Sequence, residues 1–201
     1  MKSKDDIKER FLNDVATHQM TVLRNDGTYR HLRFRRPESY CMGFDVLTWP
    51  GYLAVTGDMG EYVFQRIEDM FEFFRQPELR INEQYWAEKC QAADRRGKIE
   101  EFAPDTFRAE VLAWIAERDE EEGAELLQEV EDCVFSRLDG GEYAAYAALH
   151  DVERDRNPVF QDFGEVRCRE YTFHFQWILY AIVWAIHQFD AKPAATEQEG
   201  G

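Results

Sequence analysis

The stretch that most constrains the fold is residues 171–189, YTFHFQWILYAIVWAIHQF, nineteen positions without a formal charge. Its inner ten residues, 177–186, carry no strongly polar side chain. A helix that is apolar on every face must be surrounded by protein or by lipid. Length alone permits a membrane span. His174, Gln176, His187 and Gln188 lie inside the ends of the run, however, and no Lys/Arg cluster flanks it. The expectation is therefore a buried central helix and no membrane association, with Trp184 in the core.

The rest of the chain has to supply the cover. Residues 4–18 place Ile7, Phe11, Leu12 and Val15 at helical spacing. The period then changes to two. Residues 20–23 read as a strand, Asn25-Asp26-Gly27 as a hairpin turn and residues 29–35 as a second strand. In that strand Leu32 and Phe34 face inward, while His31, Arg33 and Arg35 face water. Residues 44–49, 52–56 and 61–64 add three more strands, joined by Pro50-Gly51 and Gly57-Asp58-Met59-Gly60. Five short strands with tight turns predict an antiparallel meander over residues 19–65, one face of which must be covered.

Helical spacing resumes at Ile67, Met70, Phe71 and Phe74, before Pro77. Asn82 is a plausible N-cap for a helix through Trp86, Cys90 and Ala93, closed by Gly97. Pro104 suits a first helical turn, and Phe107, Val111, Trp114 and Ile115 form one stripe. Residues 125–138 place Leu126, Leu127, Val130, Val134 and Leu138 on one side and acids on the other, before Gly140-Gly141. Residues 142–152 give one more helix, and Asn157-Pro158 marks a loop before the final one. The fold class expected is α+β, a single domain over residues 1–192. Its sheet-rich part is 19–65 and its helical part 66–190, with helices packed around the buried C-terminal helix. Residues 193–201, PAATEQEGG, contain nothing to bury and read as a disordered tail.

Charge is the compositional fact that bears on function. The net charge is −16 over 201 residues. Residues 1–37 hold nine Lys/Arg against five Asp/Glu, whereas residues 100–155 hold eighteen Asp/Glu against four Lys/Arg. Nucleic acid would be repelled by the bulk surface. A basic partner would be attracted over a distance, at a rate that falls with salt. Cys41, Cys90, Cys133 and Cys168 are widely separated, with no CxxC, and fit free thiols in a reducing cytoplasm. The first ten residues, MKSKDDIKER, have no apolar segment of the signal-peptide kind.

Residues 43–75, GFDVLTWPGYLAVTGDMGEYVFQRIEDMFEFFR, together with INEQYWAEKCQA at 81–92 and REYTFHFQWILYAIVWAIHQFD at 169–190, carry a resemblance. They resemble a family of uncharacterised proteins encoded by bacteriophages and prophages. The resemblance implies a small soluble protein made in a bacterial cytoplasm by a mobile element. It implies no catalytic residues.

Four groups of residues are candidates for function. The acidic run contains Glu117, Asp119, Glu120, Glu121, Glu122, Glu125, Glu129 and Asp132. Carboxylates on a rigid helix can imitate a phosphate rail and occupy the basic groove of a DNA- or RNA-handling protein. The competing reading is a solvated helix face whose charge serves solubility. The loop 56–60 offers two glycines beside Asp58, which suit a ligand loop or a tight turn; it lacks the Lys and Ser/Thr of a P-loop. No histidine spacing matches HExxH or a Cys/His metal pattern, so no metal and no cofactor are expected. The basic residues Arg30, Arg33, Arg35 and Arg36 suit nucleic-acid contact, or pairing with the acidic helices within the fold or in a homodimer.

The function expected is non-enzymatic. It is that of a phage-type inhibitor or decoy binding a host nucleic-acid-handling defence complex, anti-CRISPR or anti-restriction in type, through an acidic helical surface. The alternative is a structural or regulatory phage protein-interaction module. An enzyme ranks third, because no catalytic constellation is visible.

Overall fold

The computed structural model describes residues 4–95, 98–154, 160 and 163–192. The expected helix end at Gly97, the loop at Asn157-Pro158 and the tail 193–201 lie outside these residues. Residues 100–170 make one compact unit, and the described residues on either side of them make the other.

The flanking unit is an antiparallel meander covered on one face. Its elements are α1 (Lys4–Val15), β1 (Gln19–Asp26), β2 (Tyr29–Arg36), β3 (Ser39–Trp49), β4 (Tyr52–Gly57), β5 (Tyr62–Gln65), α2 (Met70–Phe74), α3 (Glu83–Ala87) and β6 (Cys90–Ala93). The six strands lie in sequence order across the sheet. Period-two alternation decides the faces. Leu32, Phe34, Phe44, Val46, Leu53, Val55, Tyr62 and Phe64 are buried and enter one core with Ile7, Phe11 and Val15 of α1. The opposite face of β2 and β3 carries His31, Arg33, Asp45, Leu47 and Trp49.

The long apolar run becomes α7 (Phe173–Ala191) and belongs to this unit. Thr172 caps it, accepting from the Phe175 N–H at 3.2 Å. The same residue donates through Oγ1 to the Lys98 carbonyl and through its N–H to the Ile99 carbonyl. The two points where the chain leaves and re-enters this unit are thereby tied together. Trp177 is fully buried, with its ring at 5.0 Å from Phe11 and 5.6 Å from Phe44, both edge-on. Its indole N–H donates to Asp14 at 3.0 Å. Among the described residues no helix is long and apolar enough to cross a membrane.

The unit of residues 100–170 has its own core. It contains α4 (Pro104–Ala116), α5 (Glu120–Cys133), a 3-10 segment (Phe135–Gly140) and α6 (Glu142–Arg154). The short strands β7 (Glu100–Phe102) and β8 (Arg169–Tyr171) pair with each other. Phe107, Val111, Leu126, Val130, Val134, Ala145, Leu149 and Phe163 form the buried cluster.

The structure departs from the sequence reading in four places. The sheet has six strands, not five: residues 90–93 pair with β5, Phe64 opposite Cys90, instead of continuing a helix from Asn82. Asn82 does cap α3, but Trp86 and Cys90 at helical spacing could not reveal that β5 would otherwise present unpaired backbone groups. Helix α2 starts at Met70, because Asp69 caps it by accepting from the Phe71 N–H, and Ile67 is left exposed. Helix α5 starts at Glu120 rather than Glu125, since Asp119 caps it and acids in a first turn suit the helix dipole. Trp184 is the one residue of 177–186 that is only half-buried, on the rings of Phe11, Phe34 and Phe44.

Trp177→Ala is expected to cost about 3–5 kcal/mol, since it empties a fully enclosed site and strands Asp14. Trp184→Ala should cost less. Urea denaturation of both variants measures the order, and a larger loss for Trp184→Ala would contradict this packing.

Candidate functional site

The acidic residues singled out in the sequence fall on and beside α5. Glu117 is the residue that ends α4, and it is exposed. Asp119 is the N-cap of α5, with Oδ1 accepting from the Glu122 N–H at 3.0 Å. Glu120, Glu121 and Glu122 form the first turn, Glu125 and Asp132 are exposed farther along, and Glu129 is half-buried. Leu126 and Val130, both fully buried, fix which side of the helix faces the core.

At 3.6 residues per turn, Glu121, Glu122, Glu125, Glu129 and Asp132 share an arc of about 100°, in which Glu121, Asp132 and Glu125 lie farthest from the core and Glu122 and Glu129 border on Leu126. Glu120 and Glu131 lie on one flank. The candidate residues on α5 are thus largely brought together, and Asp119 is committed to capping. Fourteen residues at 1.5 Å each make a rod of about 21 Å, and α5 carries seven carboxylates on it. One charge per about 3 Å is close to the phosphate spacing of a single strand, and about half the density of a duplex axis. Residues 100–170 hold 21 Asp/Glu against seven Lys/Arg, while the rest of the chain holds 19 against 17. The acidity is therefore a property of one unit.

The basic residues form a second constellation, on the sheet. Among the described residues, Arg30, Arg33 and Arg35 pair with carboxylates of their own unit, Asp69 and Asp45. Arg30 meets Asp69 through two hydrogen bonds of 2.8 Å and lies over the Phe71 ring at 4.6 Å. Asp45, only 5% exposed, gathers two guanidinium groups and an imidazole. His31 Nε2 donates to it at 2.7 Å, Arg33 through Nη2 at 3.1 Å, and Arg35 Nη2 lies 2.7 Å away as an ion pair. Burial alone would raise the Asp45 pKa. The hydrogen bonds from Arg33 and His31 and the charge of Arg35 outweigh burial, so the carboxyl sits below its ordinary value. Arg33 is raised in turn by its hydrogen bond to Asp45. Sequence reasoning placed Arg33 and Arg35 outward and missed Asp45. The available signal was a lone carboxylate at an outward position of an otherwise apolar strand, directly opposite Arg33.

The loop 56–60 is a structural turn. The Asp58 N–H donates to the Gly43 carbonyl at 3.1 Å, and a Cβ on Gly57 would lie 2.2 Å from that same oxygen. Glycine is needed there for strand approach. His187 Nε2 hydrogen-bonds the Gln76 carbonyl, and His150 and His174 are exposed. Among the described residues no group of three or more His, Cys, Asp or Glu is placed to hold a metal ion. All four cysteines are free, and burial pushes the Cys168 thiol up, away from reactivity.

No family model, curated protein or solved structure matches the chain.

Asp45→Asn leaves converging cations without their carboxylate. It is expected to lower stability at pH 7 by about 1–3 kcal/mol. A carboxyl depressed in the folded state stabilises fully above the ordinary value near about 4 and loses that contribution as pH falls through the folded value. The gap between wild type and Asp45→Asn should therefore narrow below about pH 4. Urea titrations across this range check it, and a gap independent of pH would refute the ionised hub.

Proposed function

We propose that the chain is a non-enzymatic inhibitor or decoy of phage type, which binds a basic groove in a host nucleic-acid-handling complex through the outer face of α5. The observation that carries this reading is the grouping of Glu121, Glu125 and Asp132 on the exposed arc of a helix, bordered by Glu122 and Glu129, whose core side is fixed by Leu126 and Val130. Scattered acids would serve solubility equally well. Carboxylates held on one arc of a rigid helix add register, which solubility does not need. The partner chemistry that fits is a cationic cleft built for a sugar-phosphate backbone, as in a CRISPR effector or a restriction enzyme. Attraction of this kind steers association and weakens as salt rises. The setting, a mobile element acting in a bacterial cytoplasm, follows from the family resemblance of residues 43–75 and forms part of the proposal.

The test reverses Glu121, Glu125 and Asp132 to Lys together. These three share the outer arc and avoid the first-turn cluster, where reversal would also oppose the helix dipole. Folding should survive, as the side chains are exposed. Wild type and variant are used as baits in bacterial lysate, and recovered nucleic-acid-binding proteins are assayed for competition with their own DNA or RNA. The expected result is competition by wild type and an affinity loss of at least about tenfold, or 1.4 kcal/mol, for the variant. Equal binding by the two proteins would end the mimicry reading.

A further inference from the structure

A groove lies on the sheet unit beside the β2–β3 hairpin, with a volume of about 510 Å³, lined by Arg33, Arg35, Arg36, Glu38, Ser39 and Tyr40. We propose that it is a nucleotide-binding site, with the phosphoryl group held by the arginines and the base stacked on Tyr40. The volume falls in the range of small-molecule sites. The proposal stands independently of the acidic face of α5.

The groove is built by an irregularity in the pairing. Phe34 is opposite Phe44, yet Arg36 is opposite Ser39, so β3 spends three more residues than β2 over this interval. The excess forms a bulge in which Met42 adopts φ 55°. Two contacts pin it: the Met42 N–H donates to Asp58 at 2.7 Å, and His18 Nε2 hydrogen-bonds the Met42 carbonyl at 3.0 Å. Gly43 is required beneath it, because a Cβ there would lie 2.6 Å from Arg35 Cδ and 2.8 Å from the Tyr40 carbonyl. The wall of the groove is thus held before any ligand arrives.

The cations are held as well. Asp45 fixes Arg33 and Arg35 from below, as supporting carboxylates do for residues that must bind in one geometry. One carboxylate does not neutralise two guanidiniums. Arg33 engages Asp45 through Nε and Nη2, which leaves the Nη1 donors uncommitted among the described residues, and its side chain is 45% exposed. Arg36 also lines the groove, and its Nη2 donates to the Asp14 carbonyl at 3.4 Å. Guanidinium groups suit phosphoryl oxygens because their N–H pairs match them two at a time. Tyr40 is 83% exposed, an aromatic ring left in water at the rim of a cationic groove. Such a ring is a stacking surface for a base. Glu38, which also lines the groove, opposes anions and limits affinity.

Outside residues 100–170 the chain is nearly balanced, with 19 Asp/Glu against 17 Lys/Arg, and charges beyond about 8 Å are largely screened at physiological salt, so one phosphate in this groove feels mainly the residues that line it. The shared chemistry is a nucleoside monophosphate, either free or at the 5′ end of a short single strand.

The test is isothermal titration of the full chain, at low salt, with AMP, inorganic phosphate and a five-nucleotide oligo-dT with and without a 5′-phosphate. AMP should bind saturably, and Arg33→Gln and Arg36→Gln should each weaken it at least about tenfold. Tyr40→Ala should weaken AMP and leave inorganic phosphate unchanged, while Glu38→Gln should tighten both. Tighter binding of the phosphorylated oligonucleotide than of AMP identifies a strand end as the source, and the reverse identifies a free nucleotide. Tyr40 and Glu38 are exposed, so their variants report even if an arginine variant fails to fold. Absence of AMP and phosphate binding overturns the proposal, as does AMP binding that is indifferent to Tyr40→Ala and Glu38→Gln. If Arg33→Gln abolishes a concentration-dependent self-association while AMP does not bind, the groove is a contact between copies and the nucleotide reading falls.

Discussion

Enclosure of α7 against the inner face of the sheet is the constraint from which the larger unit follows. Phe11 brings α1 onto Trp177 and Tyr180, while Phe34 and Phe44 bring β2 and β3 onto Trp184 and Trp177. Every position from Trp177 to Ile186 except the half-buried Trp184 is buried, so the middle of the helix is enclosed almost all round. Each large side chain enclosed here contributes on the order of 1.5–3 kcal/mol relative to exposure. Local propensities of α1 or β4 are worth far less, and they are subordinate to this packing. The sheet must then be one-sided, which is why Leu32, Phe34, Phe44 and Val46 enter the core and why the outer face can hold charge.

That outer face explains where Asp45 gets its environment. Position 45 is outward, on the side that in a solvated sheet would be wet. It is nevertheless almost fully covered, and what covers it includes the side chains of its own partners, His31, Arg33 and Arg35, from the adjacent strand. A buried carboxylate is costly unless paired and hydrogen-bonded, and here the pairing is supplied several times over. The consequence runs both ways. Asp45 is kept ionised, and two arginines that would otherwise sample many rotamers are fixed against the sheet.

The sequence conveyed the parts of this that depend on local pattern. Period-two alternation located β2 to β5, Leu32 and Phe34 included, and the uncharged run located α7. Asn82 as an N-cap and Pro104 in a first helical turn marked helix starts correctly. What escaped was decided at longer range. Cys90–Ala93 becomes a strand because β5 needs a neighbour, and nothing within those four residues says so. The Asp45 hub required knowing that position 45 lies opposite position 33, a register that the bulge at residues 40–43 displaces by three residues. The acidic face of α5 was legible in outline, since Leu126 and Val130 orient the helix. Its start was misjudged because Asp119 was counted among the charges rather than as a cap.

Charge is divided between the units far more unevenly than apolar surface is. Each unit carries its own aromatic core, yet residues 100–170 account for a surplus of fourteen carboxylates and the remainder for two. Self-repulsion on that scale destabilises a compact unit, and a helix cap and a short apolar stripe are modest compensation on α5. Solubility does not require such asymmetry, because a net charge of a few units suffices for a small domain. A nearly balanced sheet unit could also have shared the load at lower electrostatic cost. Concentrating the acids on one unit makes physical sense if the field they create is used, and a cationic cleft is the kind of surface on which it has the largest effect. The unit that carries the arginines around Asp45 is itself nearly balanced, with 19 Asp/Glu against 17 Lys/Arg outside residues 100–170.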